Sequence, residues 1–418
     1  MIEKNPPKKT FPSFKLFNYL CTQNPTHMKK ILFPIIALLI ASIAFSQIYL
    51  WKNGEIIGAF DSADSIAFEK QRIIPADSLF FKADRQSWSY DHPLHNKTPD
   101  FSVATDTIRL HFFGWGLDED SVVKVKFPDS TDKYNRAILT YRMGGWNEGP
   151  GEWDMTTMIM LKDPNTGDFY ELTRAFTPYG GAFKSDWEKL FYIDITEYLP
   201  MLHGEVELHI YYGGWDATEL RAHTAQLTFD LYEGNRDKTV VFYHKVYDSR
   251  ASSNIGYRSW AYGVDSASIE APERLGNRNI KVPYGVKSLL MKVSITGHGA
   301  DRGIFPNRPD YQQAINAAEF DDSRYTIVIN NDTLVTEEIF QMNLNNYYQQ
   351  GSYRMGRANW GPGLPMKVDY WEIHQIPENQ MLNINFDLEP FVSSINDLHA
   401  EGIANYIIEV DIFGYNNH

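Results

Sequence analysis

Val206, Leu208, Ile210 and Tyr212 alternate with polar neighbours, and Leu227, Phe229 and Leu231 do the same. Successive side chains on a strand point to opposite faces, so this period of two marks sheets with one buried face. Around these runs, Thr107–Phe113, Ser121–Phe127, Arg136–Tyr141, Trp153–Leu161, Phe169–Thr173, Leu190–Ile195, Glu205–Tyr212 and Thr224–Tyr232 read as eight strands. Eight strands joined by long turns suggest a jelly roll or a related sandwich. Aromatic residues make up 14% of the 418, with 25 Tyr, 25 Phe and 10 Trp. That content favours β-sandwiches and sugar- or peptide-binding surfaces over a helical enzyme. The polar turn Gly234–Lys238 closes this set, and a second set follows: Thr239–Tyr247, Asn279–Val282, Ser288–Ile295, Tyr325–Ile329, Met366–His374, Leu382–Leu388 and Tyr406–Phe413. Two long polar loops interrupt it, Gly297–Phe320 and Val335–Leu364, and loops of that length in a compact domain are usually functional or mobile. Leu334–Tyr347 reads as one short helix. The expected fold class is all-β, two antiparallel sandwiches preceded by a small β-module.

The N-terminal region carries a different signature. Met28-Lys29-Lys30 precedes the apolar run Ile31–Phe45 and then Ser46-Gln47. A basic start, a short apolar run and small residues make a secretory signal peptide, cleaved near Ser46. The run is short for a membrane span, so no stable membrane insertion is expected after cleavage, and the mature chain is expected to be secreted or periplasmic. Residues 1–27 then read as an upstream extension of the reading frame. Ile48–Glu69 has Asn53-Gly54 between two apolar runs, a strong hairpin signal, and resembles the short β-module of many secreted Bacteroidetes proteins. The expected domains are 1–46 (extension and signal peptide), 47–105 (module and linker with extra strands), 106–236 (first sandwich) and 237–418 (second).

Charge and cysteine usage exclude several classes. The formal charge is −14, against the basic surface that a nucleic-acid binder needs. Cys21 is the one cysteine, so no internal disulfide forms, and no zinc, HExxH, P-loop or GxGxxG signature occurs. No metal and no cofactor are expected.

The stretch with most chemistry is Gly144–Asp154, GGWNEGPGEWD. Gly149-Pro150-Gly151 suits a sharp loop that presents Glu152, Trp153 and Asp154 at the mouth of a sheet. With the strand running through Glu152, alternation puts Glu152 and Asp154 on one face and Trp153 on the other. A carboxylate beside an indole suits carbohydrate chemistry, since the ring stacks on a sugar and the acid handles protons. The bland reading is a tryptophan plug beside a solvated acid.

The run GEWDMTTMIMLKDPNTGDFYEL, then RAFTPYGG, then FYIDITEYLPMLHGEVELHIYYGGW, resembles the N-terminal domain of the bacterial peptide-N-glycosidase F family. In the second half VPYG at Val282–Gly285, SITGHG at Ser294–Gly299, AEFDDSRYTIVINN at Ala318–Asn331 and RANWGPG at Arg357–Gly363 continue the resemblance in matching order. It covers roughly residues 106–418. The resemblance implies two jelly rolls side by side with a cleft where they meet. It also implies hydrolysis of the amide between asparagine and the first N-acetylglucosamine of an N-glycoprotein or glycopeptide, and a monomer is expected. Position by position it implies Asp154 as the principal catalytic acid, Glu319 as a second, and Arg357 near the amide or sugar. It places Trp215 and Trp360, with Trp153 and Glu152, along the substrate. The chain departs from the family pattern at Gly213, where the family has an acid, at Met155, where it has an arginine, and at Ala317, Asp321 and Gly361, where it has cysteines. In this reading Asp154 is the general base, Glu319 holds the water or the amide, and two acids in one cleft repel, so that one takes a raised pKa. The competing reading is a catalytically weak relative that binds glycans or glycopeptides through the same cleft.

Overall fold

The computed structural model describes residues 48–417 apart from 53–54, 63–64, 68–78, 111–120, 214–219, 249–256, 259, 262–274, 300–302, 305–317, 321–322, 331, 342–355, 375–380, 390–391 and 394–404. It divides into one unit ending at Ala76 and a second from Asp77 to the C-terminus. In the first, β1 (Ile48–Lys52), β2 (Glu55–Ser62) and β3 (Ser65–Ala67) form an antiparallel sheet. Lys52 faces Glu55, so β1 and β2 are a hairpin pair, and the expected turn residues 53–54 lie outside the described residues.

The second unit holds both sandwiches. After β4 (Leu79–Lys82), the first sandwich is built from β5 (Phe101–Ala104), β6 (Ile108–Arg109), β7 (Ser121–Lys126), β8 (Tyr134–Asn147), β9 (Thr156–Lys162), β10 (Phe169–Phe176), β11 (Glu188–Asp194), β12 (Glu205–Tyr212) and β13 (Arg221–Glu233). One sheet has the order β10-β9-β12-β7 and the other β11-β8-β13-β5, with β6 also on β13. The alternation read from sequence is the alternation in space: Val206, Leu208, Ile210, Tyr212, Leu227, Phe229 and Leu231 are all fully buried in one cluster. Each such side chain contributes on the order of 1.5–3 kcal/mol by leaving water.

The second sandwich comprises β14 (Val240–Asp248), β15 (Tyr257–Arg258), β16 (Trp260–Ala261), β17 (Arg278–Lys281), β18 (Ser288–His298), β19 (Gly303–Ile304), β20 (Arg324–Ile329), β21 (Asp332–Glu338), β22 (Val368–His374), β23 (Met381–Leu388), β24 (Val392–Ser393) and β25 (Asn405–Tyr415). Its largest sheet runs β14-β25-β18-β22-β4, with β15 also on β25, a second runs β17-β23-β20-β21, and a small third runs β16-β24-β19. The helix expected over Leu334–Tyr347 is not formed at its start. Val335 and Thr336, β-branched, lie in β21, which pairs antiparallel with β20 from Asp332 to Glu338.

Two features fix the sandwiches against each other. Strand β10 is an edge, and its free backbone groups bond to residues 364–366 of the second sandwich: Phe176 N–H to Leu364 O at 2.9 Å, and Met366 N–H to Arg174 O at 2.8 Å. Residues 79–104 form a strap. It starts as β4 on β22 of the second sandwich, donates both Arg85 Nη atoms to Glu197 at 2.7 Å, and ends as β5 on β13 of the first.

Candidate active site

The loop that carries Asp154 is shaped by glycine and then locked. Gly149 has φ +144°, and a Cβ there would lie 2.5 Å from Phe183 O. Arg221 clamps the turn by donating to Pro150 O, Gly180 O and Phe183 O. Thr177 fixes the exit: its hydroxyl donates to Trp153 O at 2.6 Å and accepts from Met155 N–H at 2.7 Å. Gly144–Asn147 are the end of β8, and β9 begins only at Thr156. Strand alternation therefore does not orient Glu152 and Asp154. Thr177 does, from the chain just beyond β10.

The second acid and the arginine come from the other sandwich. Ala318 has φ +71° and turns the chain at Glu319, whose carbonyl accepts Ala358 N–H at 2.9 Å. Its turn is pressed against β18, for a Cβ on Gly297 would lie 2.0 Å from Ala318 O. Arg357 is held by paired backbone bonds with Gln341.

These segments converge on one guanidinium. Arg357 Nη1 donates to Asp154 Oδ2 at 2.7 Å and to Glu319 Oε1 at 2.8 Å, and Nη2 donates to the Tyr179 hydroxyl at 3.1 Å. That hydroxyl in turn bonds Asp154. The Arg357 side chain is 4% exposed, against 14% for Asp154 and 18% for Glu319, so the cation lies at the floor and the carboxylates face the opening. Arg357 Nε has no acceptor among the described residues.

Burial raises the Asp154 carboxyl despite Arg357 beside it. Glu319 is pushed up to about 7, first by burial, with the Asp154 charge adding and Arg357 opposing. Burial lowers Arg357, and the two acids more than restore it, leaving its pKa raised. The Tyr179 phenol is pushed up to about 12, so it stays a proton donor. One cation thus faces two acids, and the cluster holds a proton near neutrality on Glu319, the separation of roles that paired carboxyls in one cleft produce.

The tryptophans divide. Trp153 is 52% exposed beside Asp154, and Glu152 is exposed next to it. Trp360, expected along the sugars, is 3% exposed. Its indole lies under Arg357 at 4.3 Å, stacks on Phe176 at 4.3 Å and donates to Gly297 O at 2.8 Å. It is the platform of the guanidinium, with no face open to a sugar. Trp215 lies outside the described residues, as do Ala317 and Asp321. Gly213 is described: its N–H bonds Thr156 O at 2.8 Å, and a Cβ there would meet the Tyr211 ring at 3.3 Å. Met155 packs on the core. Tyr179 was missed as a site residue, because a tyrosine in a Pro-Tyr-Gly-Gly turn carries no charge signal. Among the described residues no three His, Cys, Asp or Glu side chains form a metal cluster.

No family model matches the chain. It is similar to the peptide-N(4)-(N-acetyl-beta-D-glucosaminyl)asparagine amidase F of Elizabethkingia miricola, at 25% identity over 319 residues, covering 73% of this chain and 81% of the relative. Among solved structures, PNGase F, a glycosylasparaginase from Flavobacterium meningosepticum, superposes with a TM-score of 0.57 at 21% identity over 76% of this chain and 97% of its own. PNGF-II superposes with a TM-score of 0.51 at 13% identity, over 82% and 66%. The likeness to the solved structures is one of fold, two β-sandwiches in one chain. Together with the sequence relationship, it supports the peptide-N-glycosidase F family for this chain.

Proposed function

We propose that the chain is an exported glycoamidase that hydrolyses the amide between asparagine and the first N-acetylglucosamine of N-linked glycans. The observation that carries this reading is the convergence of Asp154, from the first sandwich, and Glu319, from the second, on the same Arg357 Nη1. Hydrolysis needs a water made nucleophilic and a proton for the leaving nitrogen. Asp154 takes a proton from water, whose oxygen bonds to the amide carbon. As the carbon–nitrogen bond breaks, Glu319, with its carboxyl pushed up to about 7, gives its proton to the nitrogen. The products are an aspartate-containing peptide and a glycosylamine. Arg357 and Tyr179 hold the acids in register and place donors near the amide oxygen. Trp153, exposed at the rim, stacks on sugar, and Glu152, Trp215 and the space at Gly213 border the same substrate.

Incubation with a denatured N-glycoprotein tests this: glycan should be released and the peptide should show an asparagine-to-aspartate mass shift. Release should persist in the presence of a chelator. The competing reading, a glycan-binding relative, is favoured by Gly213, which carries no acid where the family pattern has one. It predicts binding of glycopeptides with no mass shift. Export rests on the run Met28–Ser46, and sequencing of the native protein's N-terminus should begin near Gln47.

A further inference from the structure

Among the described residues, several lysines of the second unit meet counter-charges or acceptors. Lys82 faces Glu337 and Asp369, and Lys245 faces Glu409 and Asp411. Lys292 donates to Glu171 O, Leu172 O and the Tyr198 hydroxyl. Lys189, half-buried on the edge strand β11, has no acid or acceptor among the described residues. Burial pushes its ammonium down, and no described carboxylate offsets this.

Its position connects it to the candidate site. A Cβ on Gly363 would lie 4.0 Å from Lys189 Nζ and 3.3 Å from Pro178 Cβ. Pro178 precedes Tyr179, which holds Asp154 and Arg357. Gly363 ends the loop that begins with Trp360. On its other side Lys189 lies over the Tyr90 ring at 5.9 Å. Tyr90, on the strap, is 52% exposed and packs edge-on against Trp88. An uncompensated cation thus stands between an exposed aromatic wall and the two loops that flank the reacting groups.

We propose that Lys189 and Tyr90 form a subsite for a carboxylate of the substrate, namely an acidic side chain close in the peptide to the glycosylated asparagine. An ammonium with no counter-ion receives an anion at a lower desolvation cost than one that must first give up a partner. The peptide is the source because the subsite adjoins Pro178-Tyr179, beside the scissile amide, whereas the carboxylates of an acidic glycan sit on its outermost sugars. The Tyr90 ring lies along the aliphatic part of the acidic side chain. This inference deepens the glycoamidase reading and rests on it for the identity of the substrate.

The experiment uses matched glycopeptides that differ by glutamate or glutamine within two residues of the glycosylated asparagine, each with a neutral or a sialic-acid-terminated glycan. The parent should favour glutamate over glutamine by about three- to tenfold in kcat/KM, the scale of a partly exposed charge pair. The preference should lie in KM. Lys189→Met, which keeps the stem, should bring the ratio to about one, and Lys189→Arg should retain it, a rescue that a packing role does not give. Binding of the same peptides to Asp154→Asn gives a readout without catalysis. Tighter binding of the glutamate peptide, lost on adding Lys189→Met, sustains the subsite even where no peptide is cleaved, and in that event only the amidase reading falls. A preference that follows sialic acid in place of glutamate, and depends on Lys189, keeps the carboxylate subsite and overturns its assignment to the peptide. Equal binding and equal kcat/KM for all substrates in the parent overturn the subsite.

Discussion

Two buried charge clusters lie between the sandwiches, and they differ in how fully their donors are used. At the seam, Glu171 and Arg174 are 0% exposed. Arg174 gives Nε and Nη2 to Glu171 at 2.9 and 2.7 Å, and Nη1 to Thr296 Oγ1 and Ile407 O at 2.5 and 3.0 Å. Four of its five N–H groups meet fixed acceptors, and the side chain is sealed from solvent. At the candidate site Arg357 shares one nitrogen between two acids and leaves Nε without an acceptor, and both acids reach solvent. The same residue types therefore serve two ends. A closed network fixes the two sandwiches, and an open one keeps capacity for substrate and water.

Substitutions that break each cluster should separate activity from stability. The largest effect is expected for Asp154→Asn, which keeps size and polarity but accepts no proton at neutral pH. Turnover should fall by ~10²–10⁴-fold, with an unchanged denaturation midpoint. Near-parental glycan release by the folded variant would remove Asp154 from the mechanism. Arg174→Met should do the reverse. It strands the buried Glu171 carboxylate, and losing one partner of a buried pair costs about 3–5 kcal/mol. Urea unfolding reads this directly, and an unchanged midpoint would show that the seam is not held by its charges.

Glu319 sharpens the comparison through pH. Its pKa is raised on folding, to about 7, so the folded protein binds the proton more tightly than the unfolded chain. Its contribution to stability is complete below the ordinary carboxyl range, near pH 4.5, and is lost as pH rises through about 7. Glu319→Gln should gain stability relative to the parent across that window, by about 1–3 kcal/mol. Parallel stability–pH curves for parent and variant would contradict the assignment. The smallest effect is expected at Gly213. Gly213→Glu adds a carboxylate beside Tyr211 and narrows the cleft, and the ratio of activities on plain and core-fucosylated glycopeptides should change by about two- to tenfold, the scale of one hydrogen bond. An unchanged ratio would detach Gly213 from substrate choice.

What was legible in the sequence was local. The alternation of β12 and β13 was visible because a half-buried strand writes its period into five or six residues. Asp154, Glu319 and Arg357 were named because acids and arginine in turn-rich loops, read with the family resemblance, stand out. The rest depended on distant chain. Trp360 reads as an exposed ring in a Trp-Gly-Pro-Gly loop, and Phe176 from the other sandwich, with Arg357 and His298, covers it. Asp154 is aimed by Thr177, 22 to 24 residues on, rather than by a strand. Asp332–Glu338 is extended because β20 offers it an edge, and its polar composition gives no hint of that partner.

The strap has a consequence for how the chain is made. Ser87 bonds Val368 across 281 residues of sequence, and β4 pairs with β22 just beyond that point. β4 precedes its partner by most of the chain, so its edge stays unpaired until β22 is in place. Contacts of such separation slow the final step and leave intermediates prone to association. The junction between the sandwiches therefore depends on residues from both ends of the second unit, and the cleft needs nearly the whole of it to be in place.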